Sequence, residues 1–219
     1  MPFVVTLQSM TLNSVSFFQN LLNQELPGED AHITMSSPYR GRYSKQQIEK
    51  FLPKTSAVLL LFHQLSNEWH IVLTERKKYE GVHSGQISFP GGRQEHNESF
   101  LETALRETKE EIGVDTHKFS IVGNLTELYV PPSNFIIYPF VAYSLEKLNF
   151  QKEDKEVEEI INVPISFFLD DSNRTFQKVK VAQNMMIEVP AFVYQERVIW
   201  GATAAILAEI LHLIKQTKS

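Results

Sequence analysis

The chain has no cysteine among its 219 residues. Disulfides and thiolate metal sites are therefore excluded, and the composition fits a reducing compartment. Positive charge is scarce: 21 Lys and Arg stand against 26 Asp and Glu, a formal net charge of −5. Nonspecific nucleic-acid binders are normally basic, so this balance argues against that class. Long apolar runs are missing as well. Ala57–Phe62 is short, and the apolar C-terminal segment is interrupted by Glu209 and His212, so neither spans a bilayer. The opening MPFVVTLQSM lacks the basic start and long apolar stretch of a secretory signal. The closing Thr217-Lys218-Ser219 is not the tripeptide of a peroxisomal address. No repeat, low-complexity tract or linker stands out. The expectation is a soluble, cytoplasmic protein with neither nucleic acid nor a membrane as partner. What is present is a hydrophobic fraction of 42%, enough for a sizeable core and one domain with appended elements.

The densest pattern lies between Gly92 and Val114, GRQEHNESFLETALRETKEEIGV. Leu101, Ala104, Leu105, Thr108 and Ile112 recur at helical spacing and predict an amphipathic helix over 99–112. On the same helical wheel Glu107, Glu110 and Glu111 are expected to project from the opposite side. Gly113 follows where helices most often end. Three carboxylates at i, i+3 and i+4 repel one another. A hard divalent cation reverses that sign, because it prefers carboxylate oxygens. The plain alternative is a solvated polar face; the surrounding glycines and glutamates set this stretch apart from one.

Elsewhere the chain offers elements rather than chemistry. Phe17, Phe18, Leu21 and Leu22 predict a helix over 10–24, and 45–52 a short helix stopped by Pro53. The polar stretch 29–44 reads as turns, with His32 and Arg42 at the surface. Ser56–Gln64 and His70–Glu75 read as a hairpin. Gly91 and Gly92 allow a sharp turn close to a ligand. Phe119–Val130 and Ile136–Leu145 read as strands, and the turn between them is expected near the mouth of the site. There Tyr129 and Phe135 either stack on an adenine or pack inward. An acidic run, Glu153–Glu159, leads to Pro164 and a short helix over 165–169. Two strands follow, 176–186 and 187–193, with Pro190 at an edge or bulge. The final helix, Ala202–Lys215, carries the apolar stripe Ile206, Leu207, Ile210, Leu211 and Ile214.

Gly92, Glu98 and the run Arg106-Glu107-Thr108-Lys109-Glu110-Glu111-Ile112-Gly113-Val114 resemble the signature of the Nudix hydrolases. Thr108 departs from it, standing where an aliphatic residue is preferred. Upstream, Leu73, Thr74, Arg76, Gly85, Phe89, Pro90, Gly91 and Gly92 resemble the extra signature of the coenzyme A pyrophosphatase branch. Gly81 stands where that signature has a basic residue, and Lys77 or Lys78 is the candidate replacement. Glu156-Val157 and the C-terminal helix resemble the same branch.

The resemblance implies an α/β/α sandwich with a mixed central sheet and a catalytic loop-helix-loop. A helical extension, residues 1–54, would pack on a hydrolase domain of residues 55–219. It implies Mg²⁺ or Mn²⁺ held by Glu107, Glu110 and Glu111, with Gly92 contributing and Glu98 in an outer shell. Glu107, Glu110 and Arg106 are the implied catalytic residues, Arg106 orienting carboxylates. Arg76, Lys77, Lys78, Gly91 and Phe135 are the candidates for substrate binding, and Glu156 for an additional carboxylate. The implied substrate is coenzyme A or an acyl derivative, cut to 3′,5′-ADP and 4′-phosphopantetheine. Two alternatives stay open: a Nudix pyrophosphatase acting on ADP-ribose, nucleotide sugars or related compounds, and a binding module without catalysis. A homodimer also stays open.

Overall fold

Strand β1 (Lys54–Leu65) is the axis of the molecule. Successive side chains of a strand point to opposite faces, and here both faces are apolar. Ala57, Leu59 and Leu61 enter one core, while Leu60 and Phe62 enter another. The computed structural model describes residues 14–38, 40–77, 85–181 and 185–217. Residues 10–13 of the expected first helix, and Lys78 and Gly81, lie outside them.

β1 turns into β2 (Glu68–Arg76) through Ser66 and Asn67, whose φ values are 53° and 64°. Two left-handed residues give the tight turn whose twist matches the paired strands. On its other side β1 runs parallel to β7 (Phe135–Ser144), from Lys54 opposite Phe135 to His63 opposite Ser144. β4 (Gly91–Arg93) pairs antiparallel with Ser56–Val58. β3 (Ile87–Ser88) and β8 (Val157–Pro164) join β2, while β5 (Ser120–Asn124) and β6 (Leu128–Val130) join β7. The result is a mixed eight-stranded sheet. β9 (Arg174–Lys180), β10 (Met186–Tyr194) and β11 (Arg197–Trp200) form a separate three-stranded sheet.

Helices cover both faces. α4 (Phe100–Ile112) places Ala104 and Ile112 in the core of Leu59 and Leu61. α1 (Ser14–Leu21) and α6 (Gly201–Gln216) place Phe18, Leu21, Ile206 and Ile210 in the core of Leu60 and Phe62. α2 (Glu29–Ile33), α3 (Lys45–Lys50) and α5 (Ile165–Leu169) are short. α3 starts at a capping box of Ser44 and Gln47, which satisfies two otherwise orphaned N–H groups. Among the described residues no helix is long and apolar enough to cross a membrane.

Four expectations are corrected. The strand expected over 119–130 is two strands, because the chain stays on β7 through Leu125 and then leaves the ladder at Thr126 for Glu209. The Leu125 N–H donates to the Pro139 carbonyl at 2.9 Å, and the Thr126 hydroxyl donates to Glu209 at 2.6 Å. The stretch 29–44 contains α2, and His32 is buried rather than superficial, its Nε2 lying 2.8 Å from Glu209 Oε2. Arg42 does stay at the surface, 3.6 Å from Asp30. The strand expected over 176–186 ends at Lys180, and Met186 already belongs to β10. Pro190, expected at an edge or bulge, does stand at an edge, opposite Phe176. β11 pairs only from Ala191 onward, so the proline has a strand partner on one side alone, where it is tolerated. The fourth correction, at Glu111, belongs to the site.

Candidate active site

α4 is fixed at both ends. Ser99 accepts from the Glu102 N–H at 3.2 Å while its own N–H donates to Glu102 Oε2 at 2.8 Å, closing a capping box. Gly113 ends the helix at φ 70°, a conformation that favours glycine. The 151–156 loop then clamps the C-terminal turn: the Gln151 N–H donates to the Ile112 carbonyl at 2.9 Å, and that of Glu153 to the Glu111 carbonyl at 3.0 Å. This clamp brings Glu156, singled out in the sequence by its resemblance, close enough to Glu111 for its charge to be felt there.

Arg106 gathers three carboxylates, Glu98 and Glu107 partly buried and Glu110 exposed. Its Nε donates to Glu98 at 2.6 Å, and its terminal nitrogens donate to Glu98 at 3.1 Å, Glu107 at 2.9 Å, Glu110 at 3.0 Å and the Arg93 carbonyl at 3.3 Å. The bond from Arg106 holds the Glu98 carboxyl down at about 2. Glu98 in return is the largest of the influences that raise the Arg106 guanidinium further above its ordinary range.

Glu107 and Glu111 face the two glycines. A Cβ on Gly92 would lie 2.4 Å from the Glu107 carboxyl carbon, so only glycine leaves room for that side chain. At Gly91, φ is 152° and a Cβ would lie 2.3 Å from the Ala57 carbonyl oxygen. The Gly91 N–H donates to Glu111 Oε2 at 3.1 Å. Here the expectation of three glutamates on the polar side fails: Glu111 is 4% exposed. It stands seven residues from Ala104, two helical turns, and so shares the buried side of α4. Burial pushes its carboxyl up to about 7, and the charges of Glu107 and Glu156 add to the rise, while the Gly91 N–H and Arg76 oppose it. Glu107 is also raised, first by burial. Glu110 is exposed.

The remaining candidates divide. Arg76 lies close enough to Glu111 to lower its pKa, and its Nε is buried without a hydrogen-bond partner. The Lys77 N–H donates to the Glu156 carbonyl at 2.9 Å. Lys78 is outside the described residues. Phe135 starts β7, on the other flank of β1 from Arg76, with the Lys54 ammonium 5.8 Å above its ring. Tyr129 packs inward against Tyr43 and Phe51.

A family model described as the NUDIX domain matches residues 53–179. The chain belongs to the Nudix family. Nudix hydrolase 22, chloroplastic, of Arabidopsis thaliana is 32% identical over 175 residues, covering 76% of this chain and 57% of its own length. The chain thus spans somewhat over half of that relative. A mitochondrial coenzyme A diphosphatase of Homo sapiens is 26% identical over 165 residues, covering 74% of this chain and 70% of the human protein. A solved MutT/nudix family protein of Enterococcus faecalis aligns with a TM-score of 0.48 at 15% identity, over 78% of this chain and 62% of its own.

Nudix hydrolases generally use divalent metals such as Mg²⁺ or Mn²⁺. Among the described residues no three His, Asp or Glu side chains form a ready-made cage. Arg106 occupies oxygens of Glu107 and Glu110 that a cation would otherwise take. The donor chemistry nevertheless fits a hard cation: carboxylate oxygens on one helix, and a glycine cradle that any Cβ would fill.

Proposed function

We propose that this Nudix protein hydrolyses the pyrophosphate of a nucleoside diphosphate derivative, with coenzyme A or acyl-coenzyme A as the substrate. The observation that carries the reading is the packing of Glu107 and Glu111 against Gly92 and Gly91. It concentrates negative charge in a largely buried place where Arg106 and Arg76 offset it only in part, so that both carboxyls stay raised and a bound cation or a proton would relieve them. Glu107, Glu110 and Glu111 would hold Mg²⁺ or Mn²⁺, with Gly92 leaving room and Glu98 behind. The cation supplies the charge that neutralises the substrate phosphates and makes an attacking water more acidic. Arg106 orients Glu98, Glu107 and Glu110, and its bonds to Glu107 and Glu110 would open where a cation took the same oxygens. The water oxygen bonds to phosphorus, the bridging P–O bond breaks, and a site carboxylate takes the water proton. The products are 3′,5′-ADP and (acyl) 4′-phosphopantetheine.

Arg76 supports the choice of substrate. Its guanidinium approaches the carboxylates with a buried Nε unpartnered, which suits an added phosphate. Arg76, Lys77 and Lys78 are the candidates for the 3′-phosphate, with Gly91 and Phe135 lining the substrate and Glu156 as an additional carboxylate. The division into a 1–54 extension and a 55–219 domain is part of this reading, supported by a family match that begins at residue 53. So is cytoplasmic residence, for which the relatives named chloroplastic and mitochondrial offer an organelle as competitor.

The test is hydrolysis with Mg²⁺ of coenzyme A, dephospho-coenzyme A, ADP-ribose, diadenosine polyphosphates and NADH. Coenzyme A should give the highest kcat/KM, and Arg76→Ala should weaken coenzyme A more than its dephospho form. A preference for ADP-ribose would replace the substrate and keep the chemistry. Binding without turnover of any compound would leave a binding module.

A further inference from the structure

Beside Tyr129 and Phe135, the rings that the sequence offers to a nucleobase, the structure places a third that is more exposed than either. Tyr129 is only 8% exposed, with Tyr43 edge-on at 5.6 Å and Phe51 stacked at 6.1 Å between ring centroids. Its hydroxyl donates to Asn134 at 3.0 Å. Phe135 carries Lys54 over its ring. Of the rings at this end of the sheet the open one is Phe51, 48% exposed although backed by Tyr129 and Tyr43. The other exposed phenylalanine among the described residues, Phe176, lies on the separate three-stranded sheet. The Asn134 amide donates to its carbonyl at 2.9 Å and fixes the backbone there.

Leu52 beside it is 84% exposed at φ 47°. Pro53 disfavours the helical conformation at Leu52, and the left-handed one costs an L-residue about 1–2 kcal/mol. A strained aliphatic residue offered wholly to water next to an open ring is a feature that folding alone does not require.

Its place in the fold supplies the occupant. Lys54 starts β1, Ser56 stands opposite Arg93, and the Gln94 N–H donates to the Thr55 carbonyl at 3.0 Å. The Thr55 hydroxyl donates to Gln94 Oε1 at 2.7 Å, and the Arg93 carbonyl accepts from Arg106. Phe51 and Leu52 therefore stand at the end of β1 that carries the carboxylate cluster. Ala57, opposite Gly92, is five residues from Leu52, and β1 begins only at Lys54, so the two lie at most about 16 Å apart along the chain. That is within the span of an extended nucleoside diphosphate, and Lys54 stands between the two in the chain, its ammonium over the neighbouring Phe135 ring.

We propose that Phe51, with Leu52 at its side, is the platform on which the nucleobase of the substrate stacks, and that Lys54 faces the intervening phosphate. The proposal rests on the pyrophosphatase reading and goes beyond it. Phe51 and Leu52 precede the family-matched residues 53–179, so the platform comes from the segment in front of the domain. A base presents a flat π-face whatever its identity, so the platform selects for a nucleoside and leaves the choice among bases to other contacts.

The experiment compares wild type with Phe51→Ala, Phe51→Leu, Phe51→Trp and Glu107→Gln on coenzyme A and ADP-ribose, with melts of each. Alanine and leucine should raise KM by about 5–150-fold, the range for losing one base–aromatic stack, with turnover at saturation little changed. Tryptophan should restore KM, which a merely structural role would not do for alanine and leucine variants that melt like wild type. In Phe51→Trp, AMP should quench the added fluorescence. Unchanged KM in the alanine and leucine variants, beside an inactive Glu107→Gln, overturns the platform and leaves the hydrolase. An active Glu107→Gln overturns the hydrolase reading and the platform with it. A dimer that dissociates in Phe51→Ala with KM unchanged assigns the patch to a subunit interface, and overturns the proposal.

Discussion

Two helices each bury a glutamate, and the two are treated differently. Glu209 of α6 is fully buried and richly partnered: His32 Nε2 at 2.8 Å, the Thr126 hydroxyl at 2.6 Å and the Thr126 N–H at 3.3 Å. Those partners come from α2 and from the link between β5 and β6, so one carboxyl joins three distant parts of the chain. Among the described residues the carboxyl of Glu111 in α4 accepts one hydrogen bond, from the Gly91 N–H, and it faces the charges of Glu107 and Glu156 with Arg76 opposing them. A buried polar group that is fully paired holds a structure together. One left short of partners, among like charges, is held ready for something not yet in place.

Exchanging the two glutamates for neutral residues should separate these roles. Glu107→Gln and Glu111→Gln should each lower turnover at saturating Mg²⁺ by about 10²–10⁴-fold, with melts near wild type or slightly above it as like charges are relieved. Near-wild-type rates in both variants would remove the proposed site. Glu209→Ala should behave in the reverse way, retaining turnover where folded but losing about 3–5 kcal/mol of stability in denaturant titrations. The truncation strands a buried imidazole and a threonine hydroxyl. A smaller effect comes from pH in chelator-treated protein. Glu111 sits at about 7 against an ordinary 4.5, so between those values the folded chain keeps a proton that the unfolded chain gives up. Stability should fall by about 3 kcal/mol as pH rises through that window, and Glu111→Gln should flatten the slope. The smallest effect is expected of Glu102→Gln. Its side chain closes the Ser99 capping box, a role that glutamine fills as well, so rate and melt should both stay near wild type.

The contrast also explains what could be read without coordinates. α4 follows from its apolar spacing and its glycine stop, and the β1–β2 hairpin from its polar, turn-forming link. From the sequence Glu111 is expected opposite the stripe of Leu101, Ala104, Leu105, Thr108 and Ile112, although at 100° per residue it falls only about 20° beyond Ala104, at the margin of that stripe. Ala104 and Thr108 are the residues that bury deepest with it, and they shift the buried arc toward position 111. His32 was illegible for a different reason. Its partner is 177 residues away, and no local period marks a residue whose environment is made by another helix. The splitting of 119–130 has the same origin, since Glu209 draws Thr126 out of the ladder. Phe51 was passed over because an aromatic at the end of a short helix looks like any other. Only its neighbours show which ring is covered and which is open.

The parallel pairing of β1 with β7 sets the timetable of folding. Every partner in that ladder lies 81 residues downstream, from Lys54 with Phe135 to His63 with Ser144. The β1–β2 hairpin closes over a two-residue turn and can form early, but alone it leaves β1 exposed along one edge. Pairings of such long sequence separation form slowly, because the entropy of closing the loop is lost before the contacts reward it. During synthesis the strand at the centre of both cores must therefore wait, half-dressed, until residue 144 has cleared the ribosome.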